Sequence, residues 1–268
     1  MASRPRVAIS GAGGVVGQVL RRRLADEFDI SGVDTRPRRL RGISRADMTR
    51  LRQAERAADG AEILIDLASG HWQQPWEVVR DNNIPAAWNS LEAARRRGVR
   101  RLVYASSNHV TGLYERDEPY AQIIAGRYEG LDPATISKID TSMAVRPDTP
   151  YAVGKALGEA AARYYSEEYG LSVLCVRIGS LNRTSRPSAI RHFATLITHA
   201  DMARLVRCCI QAPRELSFGV FYGVSANTWR IWSIQDARDQ IGYEPQDDAE
   251  QWRDQFGLAG EHAPAPTR

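Results

Sequence analysis

Lysine is nearly missing from this chain. Of 36 basic residues all but two are arginine, and one of the two lysines is Lys155. A chain so biased toward guanidinium keeps an ammonium where a compact point charge is needed. Cysteine is scarce as well. Cys175 stands in an apolar strand-like run and Cys208 and Cys209 are adjacent, which excludes a disulfide framework and points to a reducing compartment, the cytoplasm. No eighteen-residue apolar run and no signal-peptide pattern occur, so no membrane association is expected. Net charge is only +4, and the arginine runs Arg21–Arg23, Arg95–Arg97 and Arg100–Arg101 read as solvated faces. With no recognition helix, no zinc-ligand spacing and no interleaving of aromatic and basic residues, nucleic-acid binding and a metal site are not expected.

What is present begins with a strand, a glycine turn and a helix. Arg6-Val7-Ala8-Ile9-Ser10 leads into Gly11-Ala12-Gly13-Gly14-Val15-Val16-Gly17 and then the helical pattern Val19–Leu24. Such a unit suits a dinucleotide: glycines allow a tight turn and close backbone approach, and the helix start faces the pyrophosphate. The spacing is GxxGxxG instead of the usual GxGxxG. A second strand ends in Asp34, seventeen residues after Gly17, where an acid accepts hydrogen bonds from the adenosine ribose and repels a 2′-phosphate. This favours NAD over NADP, although Arg36, Arg38 and Arg39 follow closely.

Strand and helix patterns then alternate. A helix is expected near Leu51–Ala58, a strand over Glu62–Leu67 and a long helix from Pro75 to Arg97. Further along come a strand over Arg101–Ala105, a helix from Tyr151 to about Tyr169 and a strand over Ser172–Ile178. The expected fold is α/β, a Rossmann-type doubly wound parallel sheet with helices on both faces and ligands at the strands' carboxyl ends. Residues 1–178 form the NAD-binding part. Within it, 114–146 is too long for an ordinary connection and reads as a lid or substrate loop. Residues 179–257 form a small substrate-binding portion whose strand Val220–Val224 builds the other pocket wall, and the Pro- and Ala-rich tail 258–268 reads as disordered.

Tyr151 and Lys155 are four residues apart and therefore share a helix face. A free phenol titrates at about 10, and a cation in the same pocket favours its ionised form, which makes it a usable acid or base. Ser107 closes a strand before that helix and can hydrogen-bond a substrate alcohol or carbonyl. Ser107, Tyr151 and Lys155 together make a proton-handling triad for hydride transfer.

With GAGGVVG, Asp34, Asp47-Met48, Asn83, Ser106-Ser107-Asn108 and Tyr151-x-x-x-Lys155 in place, the chain resembles an extended short-chain dehydrogenase/reductase over nearly its whole length. Within that group it is most similar to bacterial uronate dehydrogenases. That likeness rests on Ala105–Gly112, Arg146-Pro147-Asp148, Arg177-Ile178-Gly179-Ser180 and Tyr222–Asn227. The resemblance implies NAD-dependent oxidation of a hexuronic acid at C1 to the aldarolactone. Tyr151 would be the base, Lys155 would hold the nicotinamide ribose and Ser107 would orient the reacting oxygen. It places Asp47, Met48 and Leu67 on the adenine side and adds Gly11, Gly14, Val15, Val16, Gly17, Ala68, Ser69, Asn83 and Ile178 to the cofactor contacts. Asn108, His109 and Ser180 would meet sugar hydroxyls. Arg191 would pair with the carboxylate, which a planar guanidinium suits.

The departures from that family lie on the substrate side. His71 stands where the family has a small hydroxyl residue, Ala194-Thr195-Leu196 replaces Ser-Thr-Trp, and segment 114–146 is longer. Arg183, Arg186, Arg191 and His192 could instead hold the phosphate of a sugar phosphate. Two other classes share this frame: a sugar-nucleotide epimerase or dehydratase, which returns the hydride, and a non-catalytic NAD sensor, which has no need of the triad. A homo-oligomer is expected by fold-level analogy alone.

Overall fold

The computed structural model describes residues 4–37 and 41–256. Arg38, Arg39 and the expected disordered tail therefore lie outside the described residues. Seven strands form one sheet: β1 (Arg6–Ser10), β2 (Asp29–Asp34), β3 (Ile43–Arg45), β4 (Ile63–Asp66), β5 (Arg101–Ser107), β6 (Ser172–Ile178) and β7 (Phe218–Gly223). Their order is β3-β2-β1-β4-β5-β6-β7 and every pairing is parallel. The order reverses between β1 and β4, and a crevice for a ligand opens beyond the strand ends at such a switch point. β4 and β5 are buried along their whole length, as a parallel sheet covered on both faces requires.

The helices are α1 (Val15–Arg23), α2 (Leu51–Ala58), α3 (Trp76–Val78), α4 (Ile84–Arg96), α5 (Tyr120–Ile124), α6 (Pro150–Tyr169), α7 (His192–Thr195), α8 (His199–Gln211) and α9 (Gln235–Ile241). Between α3 and α4 a π turn, Val79–Asn83, carries the chain on, so the expected long helix forms with an extra residue in one turn. α6 starts and stops as its sequence dictates. Thr149 accepts a hydrogen bond from the Ala152 amide, Pro150 sits in the first turn, and Gly170 takes the left-handed conformation (φ 67°) at the end. It lies close to the π turn because residue 154 is glycine: a Cβ there would stand 2.5 Å from Val79 Cγ1.

Three expectations change. β3 has no signal in the sequence pattern: it is a three-residue edge strand whose residues are intermediate or exposed, too short to carry an alternating pattern. Arg101 is not on a solvated face. It is fully buried, and its guanidinium donates to the carbonyls of Cys209, Ala212, Pro213 and Leu216, satisfying the acceptors that the end of α8 leaves open. Burial holds its pKa below the ordinary value, and the neighbouring Arg100 adds to this. Finally, the strand expected in the pocket wall is β7, which pairs with β6 from Val173↔Phe218 onward. Backbone pairing draws it into the main sheet, and the wall is made by residues just after β6 instead. Residues 179–256 thus contribute a strand and α8 to the sheet layers as well as residues at the pocket.

Segment 114–146 docks on the C-terminal part. Ile139 donates to Ile231 O and accepts from Ser233 N, and Tyr128 stacks on Trp229 with ring centroids 4.1 Å apart.

Candidate active site

At the switch point lies a cavity of ≈ 660 Å³. On one side is the turn after β1. Gly11 has φ +67°, and a Cβ would meet Leu67 O at 2.7 Å; at Gly17 it would fall 2.6 Å from Ala12 Cα. The first intrahelical bond of α1 runs from Gln18 N to Gly14 O, so the N–H groups of Val15, Val16 and Gly17 are left for a ligand, with the positive end of the helix dipole behind them. That cradle fits a dinucleotide pyrophosphate. Gly11, Gly14, Val15, Val16, Gly17, Leu67, Ser69 and Ile178 line the cavity.

Asp34, Asp47, Met48, Ala68 and Asn83 do not line it. Asp34 ends β2 beside the glycine turn, where its two carboxylate oxygens accept from Gly13 N at 3.0 Å and Arg36 N at 2.9 Å. Asp47 accepts from both the amide and hydroxyl of Thr49, in a separate surface depression with Arg45 and Arg50. Met48 is buried. Ala68 N donates to the buried Asp66, whose carboxyl burial pushes up, against the hydrogen bond from Ser10. Asn83 accepts from Gly70 N at 3.1 Å and so holds the loop that carries His71.

The three residues expected to be catalytic are together. Ser107, Tyr151 and Lys155 all line the cavity. Lys155 is buried, and its ammonium donates to Ala105 O at 2.7 Å while lying 5.6 Å from the Tyr151 ring centroid. Ser107 Oγ accepts from the His109 amide at 3.2 Å. Under them runs a buried chain of polar groups. Ser106 Oγ donates to Glu159 at 2.5 Å, and Glu159 takes two bonds from Arg177 at 2.9 and 2.8 Å. Arg177 also donates to Tyr222 Oη, which bonds Thr111. Burial works against the Arg177 charge, but Glu159 outweighs it and raises the guanidinium pKa.

All the expected substrate residues, His71, Ser107, Asn108, His109, Tyr151, Ser180 and Arg191, face the same cavity. Asn108 Nδ2 is buried and has no hydrogen-bond partner among the described residues, a donor set aside for a ligand. His109 Nδ1 meets Asp148 Oδ2 at 2.8 Å, and its ring lies flat on Trp72, with centroids 5.3 Å apart and planes 9° from parallel. The roles of Trp72 and of Glu115, which grips Arg191, have no signal in local sequence. Arg183 and Arg186 are exposed and absent from the lining, so the four-residue phosphate cluster does not assemble. His192 does line the cavity. Burial and then Arg191 push its pKa down to about 4, leaving it uncharged near neutrality.

A doubly wound sheet with a glycine-rich turn and a Ser/Tyr/Lys set at its switch point defines a nicotinamide-dinucleotide oxidoreductase. The chain belongs to the NAD dependent epimerase/dehydratase family, whose model matches residues 7–201. It is 32% identical over 254 residues to an NAD-dependent glucose-6-phosphate dehydrogenase of Haloferax volcanii, covering 91% of this chain and 94% of that one. To an L-arabinose 1-dehydrogenase (NAD(P)(+)) of the same organism it is 30% identical over 254 residues, covering 91% and 97%. The solved structure of a mutated uronate dehydrogenase superposes with a TM-score of 0.83 at 32% identity, covering 98% of this chain and 89% of that one.

Proposed function

We propose that this chain oxidises a monosaccharide at C1, converting the ring-form hemiacetal to a lactone. The observation that carries the reading is that Ser107, Tyr151 and Lys155 share one cavity with the glycine turn and with every expected substrate residue. The residues present fit a bound NAD: Gly11, Gly14, Val15, Val16 and Gly17 hold its phosphates and Lys155 its nicotinamide ribose. When bound, NAD supplies the hydride acceptor for C1–H. Ser107 hydrogen-bonds the anomeric oxygen and orients it. Tyr151, as base, takes the hydroxyl proton while the C1–O bond becomes a carbonyl. The ammonium of Lys155 lies 5.6 Å from the Tyr151 ring centroid, a cation beside the group that handles the proton. Asp34 at the end of β2 supports NAD over NADP, since a carboxylate there would face a 2′-phosphate.

The three relatives differ in the sugar their names state, so their names do not choose one sugar for this chain. A hexuronic acid, the substrate implied by the resemblance, would set its carboxylate at Arg191. A sugar phosphate would need more cations than the cavity gathers. Free thiols at Cys175, Cys208 and Cys209 support a cytoplasmic enzyme. An exposed apolar strip of Trp88, Val153, Leu157 and Tyr164 on α4 and α6 supports association with a second copy.

The test is NADH formation by the purified protein with NAD and a panel of acidic, phosphorylated and neutral monosaccharides. Tyr151→Phe should lower kcat by about 10²–10⁴ while leaving NAD binding intact. Tightly held NAD with no net NADH would instead point to an epimerase and refute the dehydrogenase reading.

A further inference from the structure

We propose that Glu115 is the specificity-determining residue of this site. By closing Arg191 into an ion pair, it removes positive charge from the sugar end of the cavity and selects a neutral aldose over a hexuronate or a sugar phosphate. The inference rests on the C1-dehydrogenase reading given above.

Arg191 is the one side chain in the cavity lining with the charge and shape to clasp a carboxylate there, and both prongs of its fork are taken. Nε donates to Glu115 Oε2 at 2.7 Å and Nη2 to Glu115 Oε1 at 2.5 Å. Nη1 donates to Ser180 Oγ at 2.9 Å and more weakly to Thr195 Oγ1 at 3.4 Å. A guanidinium has five N–H donors, so four are committed within the protein. An incoming carboxylate could form the two-point contact only by evicting Glu115. The side chains of Arg191 and Glu115 are just 25% and 13% exposed, so eviction would leave a largely desolvated carboxylate without its counterion, a costly state.

The other cationic groups do not replace the lost charge. Lys155 is bound to Ala105 O and lies at the reacting end. His109 is matched by Asp148 at 2.8 Å. His192 is uncharged near neutrality, and His71 Nδ1 accepts from Gln73 N at 3.3 Å. What faces the sugar is therefore a set of hydroxyl partners: Asn108 Nδ2, which has no partner among the described residues, the Ser180 hydroxyl and the imidazoles. Hydroxyl groups, each both donor and acceptor, satisfy such a set without burying a charge.

The placement follows from the chain. The 3₁₀ segment Asn108–Arg116 runs directly on from β5 and its catalytic serine, so Glu115 comes from the same turn system that presents Asn108 and His109. Arg191 immediately precedes the short helix α7.

The experiment compares kcat/KM at saturating NAD for glucose, galactose, xylose and arabinose with that for glucuronate, galacturonate and glucose 6-phosphate. Wild type should favour the neutral sugars. Glu115→Gln keeps the shape and frees the Arg191 charge, and should raise the acid-to-neutral ratio about ten- to a hundred-fold, chiefly through KM for the acids. Glu115→Asp keeps the charge and should keep the wild-type ranking. A wild-type preference for a uronate or the phosphate overturns the inference alone, whether or not any variant folds, and so does a ratio unmoved by Glu115→Gln. No turnover with any sugar overturns the dehydrogenase reading itself, and this inference with it.

Discussion

Glu159→Gln should cost this protein a large part of its stability. The side chains of Glu159 and Arg177 are 9% and 3% exposed and are joined by two charge-assisted bonds of 2.9 and 2.8 Å. Removing one charge of such a pair leaves the other buried and unpaired, at about 3–5 kcal/mol. The amide oxygen can still accept from both Ser106 and Arg177 Nε, as Oε1 does, and what is lost is the charge and the Oε2 acceptor of Arg177 Nη2, which places Glu159→Gln toward the lower end, about 3 kcal/mol. For a domain of this size each kcal/mol moves Tm by about 2–4 °C, so a fall of roughly 6–12 °C is expected. Urea unfolding at neutral pH checks it: the midpoint should drop with the m-value unchanged. The double variant Glu159→Leu with Arg177→Met removes both charges and should recover most of the loss. A Glu159→Gln protein within about 1 kcal/mol of wild type, or a double variant no better than the single, would refute the reasoning that the pair is an obligate unit. Because Glu159 also anchors Ser106, next to Ser107, the single variant should lower kcat as well.

Other substitutions separate further parts of the site. Trp72→Ala removes the ring that lies flat on His109 and should raise KM for the sugar about two- to ten-fold with NAD binding unchanged, an aromatic contact being worth about 0.5–1.5 kcal/mol; an unchanged KM would remove Trp72 from the site. Asp34→Ala should raise the NADP-to-NAD ratio of kcat/KM on the order of tenfold by deleting the carboxylate that opposes a 2′-phosphate, and an unmoved ratio counts against that role. Stability should also respond to mild acid. His192 has a folded pKa of about 4 against an ordinary 6.5, so the unfolded chain binds its proton first. The stabilisation is complete above pH 6.5 and is lost as pH falls towards 4. Allowing for partial exposure, the loss is about 1–2 kcal/mol. His192→Gln should flatten the stability curve in that window. Glu92, held down to about 2 chiefly by Arg95 and further by Arg96 and Tyr165, gives its own loss only below its ordinary 4.5.

Much of the scaffold could be read from the chain because its signals are local. α2 and β6 have the bounds that periodicity assigns, and α6 differs only by the proline at its start. The glycine turn, Asp34 and the Tyr/Lys spacing each depend on neighbours within a turn or a strand. What escaped reading depends on partners distant in sequence. Arg101 looks like one more surface arginine until the end of α8, more than a hundred positions away, is folded against it. Glu115 and Arg191 are 76 residues apart, and neither carries a mark of the other. An arginine can be recognised as fit for a carboxylate from its type alone. Whether a carboxylate of the protein already occupies it is a property of the folded chain.

The π turn Val79–Asn83 has a mechanical consequence. At its first residue, Val79 fills the notch over Gly154, one position before Lys155. At its last, Asn83 holds the amide of Gly70 and with it the loop bearing His71 and Trp72. The loop that carries His71 and Trp72 and the helix that carries Tyr151 and Lys155 thus hang from opposite ends of one five-residue hinge pin. A deletion that relaxed this turn into regular α-helix would rotate one attachment against the other. Either the loop would lose its anchor or the helix would lose its seat, without any residue in contact with substrate having changed.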